Sequence, residues 1–556
     1  MAIGAAVAPP LLETRHSRVA GRQVAGRAGL RPVVNPSTGA AFAEVSLLDA
    51  EQAGEAVAAA RSAAPAWAGL GFGERGRVLL RARDELSARA PEFARLIATE
   101  QGKPISEAMS VEVFPCLEAL RHLALHAEEA LRAEALPSEV PLFAHKDARL
   151  VFEPYGVVLV ITPWNYPLFL ALGAVSAALA AGNAVVLKPA PATTLVALEI
   201  AALFKQAGLP DGVLNVVALD DRLAPRLVED PRVGKIVFIG SVATGQKIMA
   251  AAAKNLTPVL LELGGKDAAV VCRDADLERA ARGVVWGAFM NTGQTCVSVE
   301  RVYVEEPVAE AFVAKVVEET RRLRVGDPLR DDTDLGPMTL ERQRTLVEEH
   351  VQDAVARGAR VLSGGARPAG PGFFYPPTVL AGVDHSMRLM TEESFGPLLP
   401  IMVVRDLDQA IGLANDSPFG LTASGWTRSR DTAARLQREL RAGVVTINDC
   451  VSSLGEPTAP YGGMGQSGIG RSHGALGLRE LVQAKYVTWD ASRKTPAWWF
   501  PYGPSFARFM ADAVPAIHGK GPLQRLFAQL RLAGSGRFWR GVSLVGMLRR
   551  IDRLLS

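Results

Sequence analysis

The clearest pattern in the chain is a series of short apolar segments that alternate with alanine-rich stretches between Gly156 and Leu263. The segments read VVLVI, AVVLK, VLNVV and KIVFI, and each is followed by helical spacing before PVLLEL closes the series. Continuous β-branched runs of this length are typical of strands buried on both faces of a parallel sheet. The pattern therefore predicts an α/β sheet whose ligands lie beyond the carboxyl ends of its strands.

Helical periodicity precedes this sheet, and a second α/β pattern follows it. From Asp49 to about Glu134, apolar residues recur at spacings of three and four, which predicts helices that cover a sheet. Residues 139–153 have little helical periodicity and are expected to be extended. From Lys266 to about Gly474 strands and helices alternate again, so a second α/β domain is predicted.

Composition and charge narrow the class of protein. A chain of 556 residues, 49% of them hydrophobic, is long enough for more than one core. Its net charge of +3 gives no argument for a nucleic-acid partner. Four cysteines without CxxC spacing predict free thiols and a cytoplasmic location. No run of eighteen uncharged apolar residues occurs, which disfavours a spanning helix, and residues 1–30 are predicted to form a disordered N-terminal arm.

The composition changes at Ala491. From there to Ser556 the chain has eleven Lys or Arg residues against two Asp, and three of its eight Trp residues. Two stretches, Leu523–Leu532 and Phe538–Leu555, are amphipathic. Basic, aromatic amphipathic segments favour the membrane interface, so we expect a peripheral membrane contact here. Packing of this extension across a neighbouring subunit is the alternative.

Two residues on one stretch suggest covalent catalysis. Glu262 ends an apolar strand and is followed by the glycines of ELGGK, and Cys296 lies in GQTC. A carboxylate and a thiol can act as a general base and a nucleophile, respectively. The alternative is structural, because a strand-end carboxylate can make a salt bridge and a free cysteine usually behaves as a small hydrophobic residue.

Seven motifs in register favour the catalytic interpretation. They are NPSTG at Asn35–Gly39, TPWNYP at Thr162–Pro167, LKPA at Leu187–Ala190, GS...G at Gly240–Gly245, ELGGK at Glu262–Lys266, FMNTGQTC at Phe289–Cys296 and EESFGP at Glu392–Pro397. In this order, over roughly residues 31–490, the chain resembles the aldehyde dehydrogenase superfamily, with a C-terminal extension. The resemblance implies an α/β fold with a Rossmann-like dinucleotide-binding domain, a second α/β catalytic domain and a small β hairpin for oligomerisation.

The resemblance also implies the domain boundaries. We expect a homodimer or homotetramer, and no metal site is predicted. The predicted parts are an N-terminal arm (1–30), the dinucleotide-binding domain (31–137 and 157–263), the oligomerisation strands (138–156 and 480–490), the catalytic domain (264–479) and a basic, aromatic amphipathic extension (491–556).

Three residues take catalytic roles by resemblance. Cys296 attacks an aldehyde, Asn165 donates to the oxyanion together with the Cys296 backbone N–H, and Glu262 activates water to hydrolyse the thioester. Members that pass the acyl group to coenzyme A usually lack an acid at the position of Glu262, so oxidation to the free carboxylic acid is expected. A coenzyme A-acylating enzyme, or a catalytically silent membrane-associated or structural homologue, is the alternative.

The cofactor implied by the resemblance is NAD or NADP. Gly240 and Ser241 precede a predicted helix, where backbone N–H groups are suited to bind a pyrophosphate. The choice of cofactor stays open, because Pro191 stands where many NAD-preferring members have an acid three residues after the ribose lysine, here Lys188. The residues expected to bind the cofactor are Thr162, Pro163, Trp164, Lys188, Gly240, Ser241, Gly245, Leu263, Glu393 and Phe395.

Small, uncharged residues after Asn165 indicate a wide, apolar substrate tunnel. Leu170, Gly173 and Ala174 share one face of the predicted helix, and no arginine is present at these positions to bind a second carboxylate. SGIGRSHG at Ser467–Gly474 resembles members that act on long or aromatic aldehydes, so a lipophilic aldehyde is predicted. Core packing would explain the aromatic residues equally well. The predicted lining is Tyr166, Phe169, Leu170, Gly173, Thr295, Val297 and Tyr461.

Overall fold

The chain forms two compact units. The computed structural model describes residues 13–140, 143, 145–493, 495–496 and 498–534. The first unit contains the described residues up to Ala130 together with Pro154–Val482, and the second contains Leu131–Glu153 and the described residues from Gln483 onward. The predicted amphipathic stretch Phe538–Leu555 lies outside the described residues.

Strands and helices alternate through most of the described residues. The strands are β1 (Glu13–Arg15), β2 (Ser17–Val19), β3 (Arg22–Val24), β4 (Leu30–Val34), β5 (Ala41–Ser46), β6 (Glu134–Ala135), β7 (Asp147–Pro154), β8 (Val157–Ile161), β9 (Ala184–Lys188), β10 (Leu214–Val216), β11 (Lys235–Ile239), β12 (Val259–Glu262), β13 (Asp267–Val271), β14 (Val299–Glu305), β15 (Arg360–Ser363), β16 (Thr378–Ala381), β17 (Leu398–Val404), β18 (Thr422–Trp426), β19 (Val444–Ile447), β20 (Gly468–Ile469) and β21 (Val482–Trp489). The helices are α1 (Ala50–Ala68), α2 (Phe72–Ala88), α3 (Ala90–Glu100), α4 (Ile105–Glu107), α5 (Phe114–Leu131), α6 (Phe169–Ala180), α7 (Thr194–Gln206), α8 (Ala224–Val228), α9 (Val242–Ala252), α10 (Leu277–Phe289), α11 (Glu306–Arg321), α12 (Glu341–Ala356), α13 (Arg388–Thr391), α14 (Leu407–Asn415), α15 (Arg430–Glu439), α16 (Gly474–Arg479), α17 (Pro504–His518) and α18 (Pro522–Gly534).

An eight-stranded sheet in the first unit contains the apolar runs of the sequence. Its strand order is β20-β12-β11-β8-β9-β10-β2-β3, and the five strands from β12 to β10 are parallel. Every residue of β8 and β9 is buried, because helices such as α1 and α6 cover the sheet. Asp49 begins α1 with a capping box, in which its carboxylate accepts a hydrogen bond from the Gln52 backbone N–H.

A seven-stranded sheet is the second large sheet of the same unit. Its order is β15-β16-β17-β14-β13-β18-β19, and all pairs except β15 with β16 are parallel. The domain boundary between residues 263 and 264 stays a prediction, and both large sheets belong to one compact unit. One reason is visible at β20, which comes from the predicted catalytic domain and pairs with β12 of the other sheet.

The N-terminal residues correct the prediction of a disordered arm. From Glu13 onward the chain forms strands, and β2 pairs with β10 while β1 pairs with β5. Ser17 is buried, and its hydroxyl accepts a hydrogen bond from the Ala218 backbone N–H at 2.9 Å. Strands of three residues are too short to show a period in the sequence, so tertiary pairing defines them. Residues 1–12 of the predicted arm lie outside the described residues.

The second unit contains a three-stranded sheet and a helical hairpin. The sheet has the order β21-β7-β6, and β7 and β21 lie within the segments predicted as oligomerisation strands, whose role in assembly stays a prediction. Strand β6 precedes the first of these segments. Helices α17 and α18 pack on each other through Ala513, Ala516 and Ala528. No helix within the described residues is both long and apolar enough to cross a membrane.

Candidate active site

A cavity of about 700 Å³ lies at the carboxyl ends of the parallel strands β8, β9, β11 and β12. Parallel strands end at one edge of a sheet, so residues far apart in the sequence meet there. The predicted site residues that line this cavity are Thr162, Pro163, Trp164, Asn165, Phe169, Leu170, Gly173, Lys188, Gly240, Ser241, Glu262, Leu263, Cys296, Glu393, Phe395 and Tyr461.

Cys296 presents a partly buried thiol to the cavity. Its Sγ lies 3.3 Å from the Tyr461 hydroxyl. Burial raises the pKa of the Cys296 thiol to about 12, although the hydrogen bond with Tyr461 lowers it. The residues around it therefore hold mainly the neutral thiol near neutral pH, and a nucleophilic thiolate requires a further positive charge in the cavity.

Glu262 is the last residue of β12, and its side chain is 5% exposed. One carboxyl oxygen, Oε1, accepts a hydrogen bond from the Ser472 hydroxyl at 3.0 Å. The other, Oε2, has no hydrogen-bond partner among the described residues. Burial raises the pKa of Glu262 to about 8, which suits a group that exchanges a proton near neutral pH.

Asn165 follows β8 in a segment that buried charges hold in place. Its Nδ2 donates to the Gln294 carbonyl at 3.0 Å, and its own carbonyl accepts from Lys103 Nζ at 3.0 Å. Lys103 forms a fully buried ion pair with Glu112, whose Oε2 accepts from two backbone N–H groups of the next turn, at Leu168 and Phe169. The amide is thus fixed at the cavity wall, and its second N–H is suited to stabilise an oxyanion.

The opposite side of the cavity has the donors and rings that a dinucleotide requires. Ser241 begins α9, makes no side-chain cap there, and is exposed, so the first-turn N–H groups of this helix are open to an anion. The rings of Trp164 and Phe395 meet edge to face with centroids 5.5 Å apart. These residues would hold a nicotinamide dinucleotide, which would supply a hydride acceptor to the cavity.

Glu393 is held against the glycine pair of ELGGK. Its Oε1 accepts from the Gly265 backbone N–H at 3.1 Å, and a Cβ added to Gly264 would lie 2.4 Å from its Oε2. Burial raises the pKa of Glu393 to about 8. The turn before Phe395 is fixed by a second buried ion pair, Lys266 with Glu300, in which Glu300 accepts from the backbone N–H groups of residues 394 and 395.

Lys188, the lysine predicted to bind the ribose, forms an ion pair that the sequence did not predict. Lys188 Nζ pairs with the Asp221 carboxylate, which is largely exposed. Asp221 and Pro191 both line the cavity, so Asp221 supplies a negative charge to it that Pro191 does not. A carboxylate here is unfavourable for a second phosphate on the ribose.

Four predicted site residues do not line the cavity. Tyr166 is buried, its hydroxyl bonds Thr295 Oγ1 at 2.9 Å, and its ring lies 3.5 Å from Lys103 Nζ. Val297 is buried as well, and Gly245 is covered by Leu263, whose Cδ2 would lie 2.6 Å from an added Cβ. These residues are part of the packing behind the wall, as the core-packing alternative expects for Tyr166.

Several polar residues that line the cavity were not predicted from the sequence, among them Ser472, His473 and His122. Ser472 and His473 belong to the SGIGRSHG segment, and His122 comes from α5. His473 has a left-handed backbone (φ +59°), and burial lowers its pKa to about 4, so its imidazole is neutral. The segment was noticed as a motif, but only the tertiary contact shows that Ser472 reaches Glu262.

A large cavity at the ends of parallel strands, with a helix N-terminus and a thiol on its wall, is typical of a nucleotide-dependent oxidoreductase. The sequence is more specific, because it matches the aldehyde dehydrogenase family over residues 24–487. The chain belongs to this family, which confirms the predicted resemblance, the enzyme class and NAD or NADP as the cofactor.

Relatives and solved structures agree with this assignment. The chain is 39% identical to the mitochondrial succinate-semialdehyde dehydrogenase of Arabidopsis thaliana, over 82% of this chain and 85% of that protein. It is 39% identical to the 4,4'-diapolycopene aldehyde oxidase of Methylomonas sp., over 83% and 86%. The crystal structure of an NAD-dependent aldehyde dehydrogenase from Sinorhizobium meliloti superimposes with a TM-score of 0.84 at 36% identity, covering 88% of this chain and 97% of that one. The predicted fold class is thereby confirmed.

Proposed function

We propose that this protein oxidises a lipophilic aldehyde to the free carboxylic acid, with NAD or NADP as the hydride acceptor. The observation that carries the proposal is the shared cavity. Cys296, Glu262 and Asn165 come from three separate segments and line one cavity at the strand ends, opposite the helix N-terminus of α9. A nucleophile, a base and an oxyanion donor are the three functions that the reaction needs.

Cys296 is the nucleophile in the oxidation step. Its thiolate sulfur bonds the aldehyde carbon, and the carbonyl oxygen becomes an oxyanion that accepts from Asn165 Nδ2 and the Cys296 backbone N–H. Each such donor contributes on the order of 3 kcal/mol to the transition state. When bound, the cofactor supplies the positive charge that favours the thiolate and takes the hydride from this carbon. The remaining acyl group is a thioester on Cys296.

Glu262 is the base in the hydrolysis step. Its carboxylate removes a proton from a water molecule, whose oxygen attacks the thioester carbonyl. The carbon–sulfur bond then breaks, the acid leaves, and the sulfur recovers as a thiolate. The unpartnered Oε2 is free to accept the water proton, while the Ser472 hydroxyl keeps Oε1 in place.

The substrate class follows from the apolar wall beyond Cys296. Leu123, Leu170, Ala174, Leu478 and Leu481 line the cavity on this side. Such a surface favours an aliphatic or aromatic chain, and none of these five side chains offers a cation to a terminal carboxylate. A long apolar aldehyde, as in the name of the Methylomonas relative, therefore fits this wall better than succinate semialdehyde does.

A chain-length series tests the substrate class. The measurement is kcat/KM for straight-chain aldehydes, followed by the absorbance of the reduced cofactor. Each methylene that enters the tunnel contributes about 0.8 kcal/mol, or roughly fourfold in kcat/KM, until the tunnel is full. A flat series, or a preference for succinate semialdehyde, contradicts the lipophilic substrate.

Gly173 offers a matched control, because a Cβ added there meets no atom within 4 Å and the side chain would project into free space. We expect Gly173→Leu to reduce kcat/KM for long aldehydes and to spare short ones, with Gly173→Ala close to the native enzyme.

Cys296→Ala should abolish oxidation of every aldehyde. Glu262→Gln should release one burst of reduced cofactor and then turn over slowly.

We also propose a peripheral membrane contact through α18. Leu523, Leu526, Phe527 and Leu530 recur at spacings of three and four, and each is at least half exposed. These four residues form an apolar stripe on one face of the helix, and Arg525 and Arg531 lie outside it. An exposed apolar stripe within a basic segment suits the surface of an anionic bilayer.

Vesicle flotation of the full chain tests this contact. Binding is expected with phosphatidylserine vesicles and weak with neutral ones. Phe527→Glu should reduce it strongly, whereas Gln524→Glu, the same charge change at an exposed position off the stripe, should have little effect. Equal effects of the two substitutions, or no flotation of the native chain, contradict the proposal.

A further inference from the structure

The hydroxyl of Tyr461 is placed to act on the thiol and does more than line the tunnel. The side chain is 4% exposed, and its oxygen lies 3.3 Å from Cys296 Sγ. Its ring packs at 5.7 Å, centroid to centroid, on the His473 imidazole. Phenylalanine would fill the same space, so the packing alone does not require the hydroxyl.

Backbone hydrogen bonds fix the position of this hydroxyl. The Tyr461 N–H donates to the Ser472 carbonyl at 2.8 Å, and the Ser472 N–H donates back to the Tyr461 carbonyl at 2.7 Å. Ser472 in turn donates its hydroxyl to Glu262. The backbone pairing of Tyr461 with Ser472 therefore orients both hydroxyls. The Tyr461 hydroxyl lies against Cys296, and the Ser472 hydroxyl lies against Glu262.

The direction of the hydrogen bond to the sulfur is set by the ionisation states. Burial raises the pKa of Tyr461 well above its ordinary value, so the phenol keeps its hydrogen throughout the working pH range. A thiolate can only accept a hydrogen bond. Once Cys296 is ionised, Tyr461 must be the donor, and a bond to a charged acceptor is stronger than one to the neutral thiol.

We propose that Tyr461 is a further catalytic residue, which donates its phenol hydrogen to the Cys296 thiolate and thereby increases the fraction of the nucleophilic form. The inference rests on the proposed role of Cys296 as the nucleophile. It deepens that role, because it names a group of this chain that favours the thiolate before any substrate is present.

The test is the rate at which Cys296 is alkylated, measured between pH 6.5 and 9.5 by mass spectrometry of its peptide. A hydrogen bond to a charged group is worth roughly ten- to a hundredfold in the ionisation equilibrium. A thiol of higher pKa is also a better nucleophile, which offsets about half of that change on a logarithmic scale. We therefore expect Tyr461→Phe to slow alkylation by iodoacetamide roughly three- to tenfold across this pH range.

Tyr166→Phe is the matched control. It removes the hydroxyl of another buried tyrosine, which bonds Thr295, the neighbour of Cys296, and not the sulfur. Alkylation should be unchanged in this variant. A larger reagent, N-ethylmaleimide, should show the same Tyr461→Phe slowing as iodoacetamide, because an effect on ionisation is independent of reagent size.

Three results would overturn the inference: unchanged alkylation in Tyr461→Phe, equal slowing in Tyr166→Phe, or a slowing that depends on reagent size. None of these results bears on the proposed function, which fails instead if Cys296→Ala still oxidises aldehydes. The two failures are therefore distinguishable.

Discussion

Two buried lysine–glutamate pairs behind the cavity differ sharply from the lone carboxyl of Glu262 on its wall. In the pairs Lys103–Glu112 and Lys266–Glu300, every side chain is at most 4% exposed, and both glutamates also accept two backbone N–H groups. Glu262 is just as enclosed, but its Oε1 accepts from the Ser472 hydroxyl and its Oε2 has no hydrogen-bond partner in the described part of the chain.

The difference distinguishes charged groups that hold the structure in place from groups that can take part in the reaction. Each glutamate of a pair fixes a loop of the site: Glu112 holds the turn after Asn165, and Glu300 holds the turn before Phe395. A fully bonded carboxylate has no reason to exchange its proton, whereas a carboxyl with a free oxygen and a raised pKa can do so. Burial alone is thus a poor marker of catalysis, and the count of hydrogen bonds is a better one.

The largest effect should come from breaking a pair. Glu112→Gln leaves the Lys103 ammonium buried without its counter-charge, so we expect the free energy of unfolding to fall by about 3–5 kcal/mol. Urea denaturation measures it. Glu118→Gln, at a half-exposed ion pair with Arg121 on α5, should cost no more than about 0.5 kcal/mol. A similar small loss in both variants would show that the buried pair is not structural.

A smaller effect should appear in the pH dependence of hydrolysis. With a pKa of about 8, Glu262 is increasingly protonated, and inactive as a base, as the pH falls below that value. The deacylation rate should therefore drop about tenfold per pH unit below about pH 7, which single-turnover experiments with a preformed thioester can follow. Glu262→Gln should show a low rate without this dependence. A midpoint near pH 4.5 in the profile of the deacylation rate would mean that burial does not raise the pKa of Glu262.

The smallest effect should be on the stability of Glu262→Gln. Burial raises the folded pKa of Glu262 above its ordinary value of 4.5, so its contribution to stability is complete below pH 4.5 and is lost as the pH rises toward 8. Glutamine stays neutral, so the variant should become more stable than the native chain as the pH rises from 5 to 8. A loss of several kcal/mol, as for Glu112→Gln, would contradict the comparison.

The strands and site residues that could be predicted from the sequence are those that a local hydrophobic pattern or a motif indicates. The apolar runs of β8, β9 and β11 are long and strongly patterned, and Asn165, Glu262 and Cys296 lie at the strand ends or turns where a ligand would be expected. These features depend on residues near one another in the chain or on the rule that parallel strands end at one edge.

The features that escaped prediction depend on contacts between distant segments. Lys103 and Lys266 look like ordinary surface charges, because a helix or loop pattern does not show that Glu112 or Glu300 meets them in the interior. The burial of Tyr166 and Thr295, and the pairing of β2 with β10, likewise follow from packing and not from local propensity.

The bridge between Tyr461 and Ser472 has a consequence for the loss of activity on heating. The segment between them closes on itself through two peptide hydrogen bonds and contains four glycines with φ between +60° and +151°, at positions 462, 465, 468 and 470. When this loop opens, the Cys296 sulfur loses the Tyr461 hydroxyl. The Glu262 carboxyl loses the Ser472 hydroxyl in the same event. Inactivation should then be a single step that precedes melting of the sheets, and a ligand that closes the loop should delay it.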